Sequence, residues 1–327
     1  MSLEVIYVVR HGFRSSWSVD HLTGTYTSYL RSPTGLPTDP ALTSHGVEQA
    51  EELAGHLLRL NPPIDRIYSS PYYRCLQTIL PFLSRHNSGQ NKGSASDDDV
   101  PHSRLSIRVD PGLSEWYGRA NFEHPTAASL DDLSALFADL DKNYNSSPAP
   151  RRRGESIPQL YERVASCIEA IIAHCDKEGK KSILISTHAA VVIALGRILT
   201  AEVPEDASVD DFKAFTCGLS EYRRRGAHRD AYQDGGLALH PLGPRTPKSK
   251  DLCQRCSFGL SSHWTCNVNS DCSFLRGGEE RGWRFSGDES FIEVGRDGLL
   301  PSALESRPHT AAEKGGDNSS STNIPKL

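Results

Sequence analysis

Apolar positions along this chain follow two periods, and the alternation between them predicts the architecture. Residues 4–9 are the first strand candidate, within which Ile6 to Val9 is an unbroken β-branched and aromatic run, the pattern of a buried strand. In the next apolar segment, Val47, Ala50, Leu53, Ala54, Leu57 and Leu58 recur at helical spacing. Thr43 or Ser44 is placed to cap that helix, and Pro62-Pro63 stops it. "IDRIYSS" (64–70) reads as a second strand. Pro71 then opens a helix through about His86, in the first turn where proline is tolerated. A third strand precedes Pro111-Gly112, and a short helix is expected over 130–142. A longer amphipathic helix runs from Ser156 or Ile157 to about His174. Ser182–Ser186 forms the last strand of the series, followed by Thr187-His188 and another helix. Strands alternating with helices predict an α/β fold: a three-layer α/β/α sandwich on a mostly parallel central sheet.

Between these elements the patterning lapses. Residues 18–40, rich in Thr, Ser, Pro and Gly, read as a long loop or lid, and 87–104 as a flexible insertion. Residues 1–225 form the predicted main domain, 226–250 a polar linker, 251–300 a small β-rich C-terminal extension and 301–327 a disordered tail. Within the extension, "HWTCNVNSDCSFL" and "RGWRFSGDESFIEV" alternate as two strands of a hairpin turning near Gly277-Gly278-Glu279.

Composition narrows the classes. The 327 residues carry a net charge of −5, so no global field favours nucleic acid or an anionic membrane. The runs Arg151-Arg152-Arg153 and Arg223-Arg224-Arg225 fit solvated faces better than an anion site. No apolar stretch approaches the ~20 residues of a membrane span, and Met1 leads straight into the first strand. A cytoplasmic or nuclear protein with reduced thiols is expected. Of the eight cysteines, Cys253, Cys256, Cys266 and Cys272, with His263, are weighed as zinc ligands. On one strand Cys266 and Cys272 would share a face but lie about 20 Å apart, too far for one ion. Unrelated thiols are the favoured reading.

The candidate chemistry sits where buried strands end. The first delivers Arg10, His11 and, two residues past Gly12, Arg14. The second leads through Ser69-Ser70-Pro71 to Arg74, and the last ends in Thr187-His188. Ligands of open α/β sheets collect outside the carboxyl ends of the strands, where helix N-termini also offer N–H groups to anions. Three arginines and two histidines at one such point describe a phosphate pocket, since guanidinium forks match phosphate oxygens. No metal and no cofactor are expected there.

The pieces "VVRHGFRSSW", "IYSSPYYRCLQT", "PGLSEWYG" and "ISTHAAVVIAL", in that order over residues 5–195, resemble the histidine phosphatase (phosphoglycerate mutase-like) superfamily. The resemblance implies that fold, and His11 as a nucleophile that takes up a phosphoryl group. It implies that Glu115 is the general acid and that Arg10, Arg14, Arg74 and His188 hold the phosphate. The classical mutases have a small residue and an Asn where Arg14 and Trp17 stand here. The chain looks more like the branch of ubiquitin-associated, SH3-bearing phosphatases. It looks most like fungal proteins related to the histidine-phosphatase-like small subunit of transcription factor TFIIIC. Two functions follow as expectations: a metal-independent phosphomonoester hydrolase acting on a small molecule or phosphoprotein, or an interaction subunit with a transcription-factor partner and a retained pocket. Neither requires direct nucleic-acid or membrane contact.

Overall fold

The computed structural model describes residues 2–89, 104–226 and 264–286. These residues all fall in one unit, Met1–Ile292. Strand β1 (Val5–Arg10) leads into a hairpin of β2 (Trp17–Asp20) and β3 (Thr25–Ser28), then helix α1 (Ser44–Leu57). There follow β4 (Arg66–Ser69), α2 (Tyr73–Gly89), β5 (Ile107–Val109) and a single 3-10 turn at Pro111–Leu113. The chain continues as α3 (Leu130–Leu136), α4 (Ile157–Glu178), β6 (Ser182–Thr187), α5 (Ala189–Thr200), β7 (Leu219–Arg224) and β8 (Trp264–Asp271). The six-stranded sheet has the order β5-β4-β6-β1-β7-β8. Its first four strands are parallel, β7 runs antiparallel to β1, and β8 antiparallel to β7.

Side-chain alternation divides the core between the two faces of that sheet. Ile6 and Val8 of β1, with Ile183 and Ile185 of β6, pack under α4 and α5. Val5, Tyr7, Val9 and Leu184 pack under α1 and α2. Every residue of α5 is buried, which explains why its sequence is apolar but for Gly196, Thr200 and Arg197, the last paired with Asp211. Caps fix where the helices begin: the Thr43 hydroxyl accepts from the Gly46 amide for α1, and Ser156 with Gln159 closes a capping box on α4. Gly179, at φ +71°, ends α4 in the left-handed region.

Four expectations change. The 18–40 segment contains the β2–β3 hairpin, whose exposed Thr and Ser alternate with half-buried Trp17, Val19 and Tyr26. On α1, Val47 and Leu58 are exposed, and Gln49 is buried on the inner face. Within the described residues the predicted C-terminal hairpin is corrected: β8 pairs with β7, and 281–286 is not a strand. Trp283 and Phe285 instead stack edge-on with Trp116, and burial of those rings decides the path of the segment. Cys266 and Cys272 do not share a face. Cys266 packs toward the α4/α5 core and Cys272 lies in the α1/α2 core. The cause is a register shift in the β7–β8 ladder and a left-handed Ser270 (φ +56°), which reverse the pleat. Cys253, Cys256 and His263 lie outside the described residues, as do the linker from 227, the insertion from 90 to 103 and the chain beyond 286.

Candidate active site

The carboxyl ends of β1, β4 and β6 meet at one edge of the sheet, because the three strands are neighbours in register. Arg10 pairs with Thr187, and the His11 amide continues the ladder to the Thr187 carbonyl at 2.9 Å. Gly12 follows because nothing larger fits: a Cβ there would stand 2.9 Å from the Gly46 carbonyl and 3.2 Å from Cys217 Sγ. Its amide donates to Thr78 Oγ1 (3.0 Å), tying the end of β1 to α2.

His11 is buried, and its Nδ1 lies 2.8 Å from the Gly12 carbonyl. A carbonyl only accepts, so Nδ1 carries the proton and Nε2 is left with a free lone pair. The ring centroid is 5.4 Å from that of His188. Burial, and then the positive charges of Arg74 and Arg10, hold His11 neutral, well below the usual histidine range.

Arg74 is completely buried and occupies the middle of the site. It donates to the Thr38 carbonyl at 2.9 Å, to Asp39 at 3.4 Å and to Glu115 Oε2 at 3.1 Å, and it stacks over the Tyr72 ring. His188, at the start of α5, places Nε2 at 2.7 Å from Ser70 Oγ and Nδ1 at 3.2 Å from Glu115 Oε2. Burial lowers its ring to about 4 despite the Glu115 carboxylate. Burial would raise the Glu115 carboxyl, but His188, Arg74 and Arg14 pull it well below the carboxylate range. About 16% of that side chain still meets solvent.

Arg10 donates to the Ala214 carbonyl at 2.6 Å and to the Arg281 carbonyl. Arg14 donates to the Ser15 carbonyl at 2.9 Å and lies over Trp17. Burial lowers Arg10 to about 10 and Arg14 to about 9, so both remain cations at neutral pH. The Nε atoms of Arg10, Arg14 and Arg74, Ser15 Oγ and Trp17 Nε1 are all buried without a hydrogen-bond partner. Buried donors are rarely left so, and the three arginines among them, whose charges bear on His11, describe a site for an anion rich in acceptor oxygens.

All six residues singled out in the sequence come together here. Glu115 arrives on the loop after β5. One ring nitrogen of each histidine and a Glu115 oxygen lie within 4.8 Å of one another. That spacing suits a metal ion geometrically, but three surrounding guanidinium cations oppose one and favour an anion. Asp39 is a participant that periodicity could not reveal. It is buried in an irregular segment, and it also accepts from the Tyr73 amide at 2.9 Å. Gln49 is another, holding the Phe13 amide at 2.9 Å; its helical spacing with Leu53 was the available signal. A cavity of about 620 Å³ lies elsewhere, along α4 and residues 144–151.

The chain is 28% identical over 307 residues to the transcription factor tau 55 kDa subunit of Saccharomyces cerevisiae, covering 91% of this chain and 61% of that protein. It is 27% identical over 225 residues to the ecdysteroid-phosphate phosphatase of Drosophila melanogaster, covering 62% of this chain and 28% of that one. The chain thus spans less than two thirds of either relative. Among solved structures, the ecdysone phosphate phosphatase of the silkworm Bombyx mori, in complex with tungstate, aligns with a TM-score of 0.47 at 20% identity. That alignment covers 75% of this chain and 98% of the silkworm chain. The model of the histidine phosphatase superfamily (branch 1) matches residues 6–231, which contain all of the sheet except β8 and the first residue of β1, and all six clustered residues. With more than half its length inside that match, the chain belongs to the histidine phosphatase superfamily, branch 1.

Proposed function

We propose that this chain hydrolyses phosphate monoesters, of a small molecule or a phosphoprotein, by way of a phosphohistidine and without a metal. The observation that carries the reading is the free Nε2 of a neutral, buried His11 under the charge of three arginines whose Nε donors are unpartnered. In the first step the Nε2 lone pair attacks phosphorus, and the P–O ester bond breaks as Glu115 protonates the leaving oxygen. In the second step water attacks phosphorus, its proton goes to the Glu115 carboxylate, and the P–N bond breaks. Arg10, Arg14, Arg74 and His188 stabilise the charge on the equatorial oxygens. Glu115 is ionised in the free site, so its proton enters with the substrate monoanion. An incoming phosphate competes for Arg74 and His188 and weakens their hold on the carboxylate.

The test is hydrolysis of 4-nitrophenyl phosphate between pH 4 and 8 with EDTA present. Turnover resistant to EDTA, lost in His11→Ala and rising as pH falls from 8 toward 5, is the expected result. Activity that EDTA removes, or that His11→Ala retains, would overturn the reading.

A second reading has an observation of its own. The match to the transcription-factor subunit extends over 307 residues, whereas that to the Drosophila phosphatase spans 225. An assembly role in the nucleus, with a transcription-factor partner, would engage surface outside the shared phosphatase region. If the folded chain binds vanadate but turns over no ester, that role becomes the primary one, and co-purification with transcription-factor subunits is the assay.

A further inference from the structure

We propose that the Glu155–Arg163 pair positions Glu115, a role that rests on the reading of Glu115 as the proton donor. The acid is carried on an irregular segment, 114–128, with no ladder of its own to fix it. Arg163, on the second turn of α4, donates from Nη1 to the Gly112 carbonyl (2.7 Å) and the Ser114 carbonyl (3.1 Å). The same guanidinium grips Glu155 through Nε at 2.9 and 3.0 Å and Nη2 at 2.8 Å. Both side chains are nearly excluded from solvent, at 8% and 4% exposure. Glu155 holds the far side of the acid through its backbone. Its carbonyl accepts from Trp116 Nε1 at 2.8 Å, and its amide donates to the Tyr117 carbonyl at 2.9 Å.

Residues 114, 116 and 117 are therefore fixed to one buried ion pair, and Glu115 is the residue between them that faces the pocket. Thr187 Oγ1 takes up the remaining carbonyl of the turn, that of Leu113, at 2.7 Å. Gly154 permits the approach: a Cβ there would stand 2.1 Å from the Gly118 carbonyl, and its φ is +78°. None of the phosphate-facing groups Arg10, Arg14, Arg74 or His11 hydrogen-bonds to Glu155 or Arg163. The pair therefore reaches the anion pocket through Glu115, whose carboxylate Arg74 and His188 hold, and not through direct bonds to the arginines.

That separation supplies the experiment. Protonating the leaving group matters more for phenyl phosphate than for 4-nitrophenyl phosphate, whose phenolate leaves unaided. The quantity to measure is the ratio of kcat/KM for these two esters, together with vanadate affinity, in wild type, Glu115→Gln, Arg163→Ala and Arg163→Lys. Glu115→Gln should lower the phenyl-to-nitrophenyl ratio by roughly 10²-fold, the scale of general acid catalysis. Arg163→Ala should lower the ratio by about tenfold or more, Arg163→Lys by less, and vanadate affinity should hold in both. An equal loss on both esters, or vanadate affinity falling in step, would make the pair a merely structural one and overturn the inference. If Arg163→Ala does not fold, Arg163→Lys carries the same test. A Glu115→Gln ratio unchanged from wild type would instead remove Glu115 as the acid, and the positioning role with it.

Discussion

Arg74 is the residue on which the site turns. It is a buried cation held by two carboxylates and a carbonyl, and removing it strands charge rather than merely deleting a contact. Arg74→Met should cost about 3–5 kcal/mol in urea unfolding, the usual scale for breaking a buried pair. Adding Asp39→Asn should recover part of that loss by removing one stranded charge. The histidines make a pH statement. In the unfolded chain His188 titrates near the ordinary histidine value of 6.5, and in the fold near 4. Between those values the unfolded state binds a proton that the folded state refuses, so stability falls as pH falls through this window. His11, also held below its ordinary range, acts in the same direction. The melting temperature should therefore decline from pH 6.5 to 4, and His188→Gln should flatten the decline.

Among the elements, the joint between β1 and α1 is the tightest. Gly12 lies against the Gly46 carbonyl, and a Cβ on Gly46 would stand 2.0 Å from the Phe13 carbonyl. Gly12→Ala should destabilise by about 1–3 kcal/mol, as overpacking does. It should lower turnover more than the stability loss explains, because the Gly12 carbonyl fixes the His11 tautomer. A thermal melt alongside 4-nitrophenyl phosphate kinetics separates the two effects. The same scale explains what the sequence showed and what it concealed. Val5–Val9 and 182–186 read as strands because parallel strands covered on both faces are continuously apolar. The β2–β3 hairpin did not, because its polar alternation matches that of a loop.

On the scale of the whole molecule, the sheet is finished from far along the chain. β8 covers β7 and buries Trp264 completely, and the following segment returns to the site, where the Arg281 carbonyl receives Arg10. Glu280 adds contacts to His45 at 2.7 Å and Gln49 at 3.1 Å. A chain ending at residue 226 would expose β7 as an edge, uncover α5 and leave Arg10 only the Ala214 carbonyl of its two acceptors. It should melt at a markedly lower temperature by circular dichroism and lose affinity for vanadate. Among the described residues, no helix is long and apolar enough to cross a membrane.

The sequence by itself, leaving aside Glu115, which only the family resemblance supplied, determined the α/β class, the parallel strands and five of the residues that meet at the pocket. Those features rest on local signals: hydrophobic period, caps, and charged groups set where buried strands end. The tertiary structure alone decided that Glu115 reaches His188 from 73 positions away. It also decided that Asp39 backs Arg74, that β8 joins the main sheet and that Glu155 with Arg163 frames the acid. These pairings join segments with no shared period. Their stability comes from desolvated charge and buried aromatic surface that exist only after the chain has closed on itself.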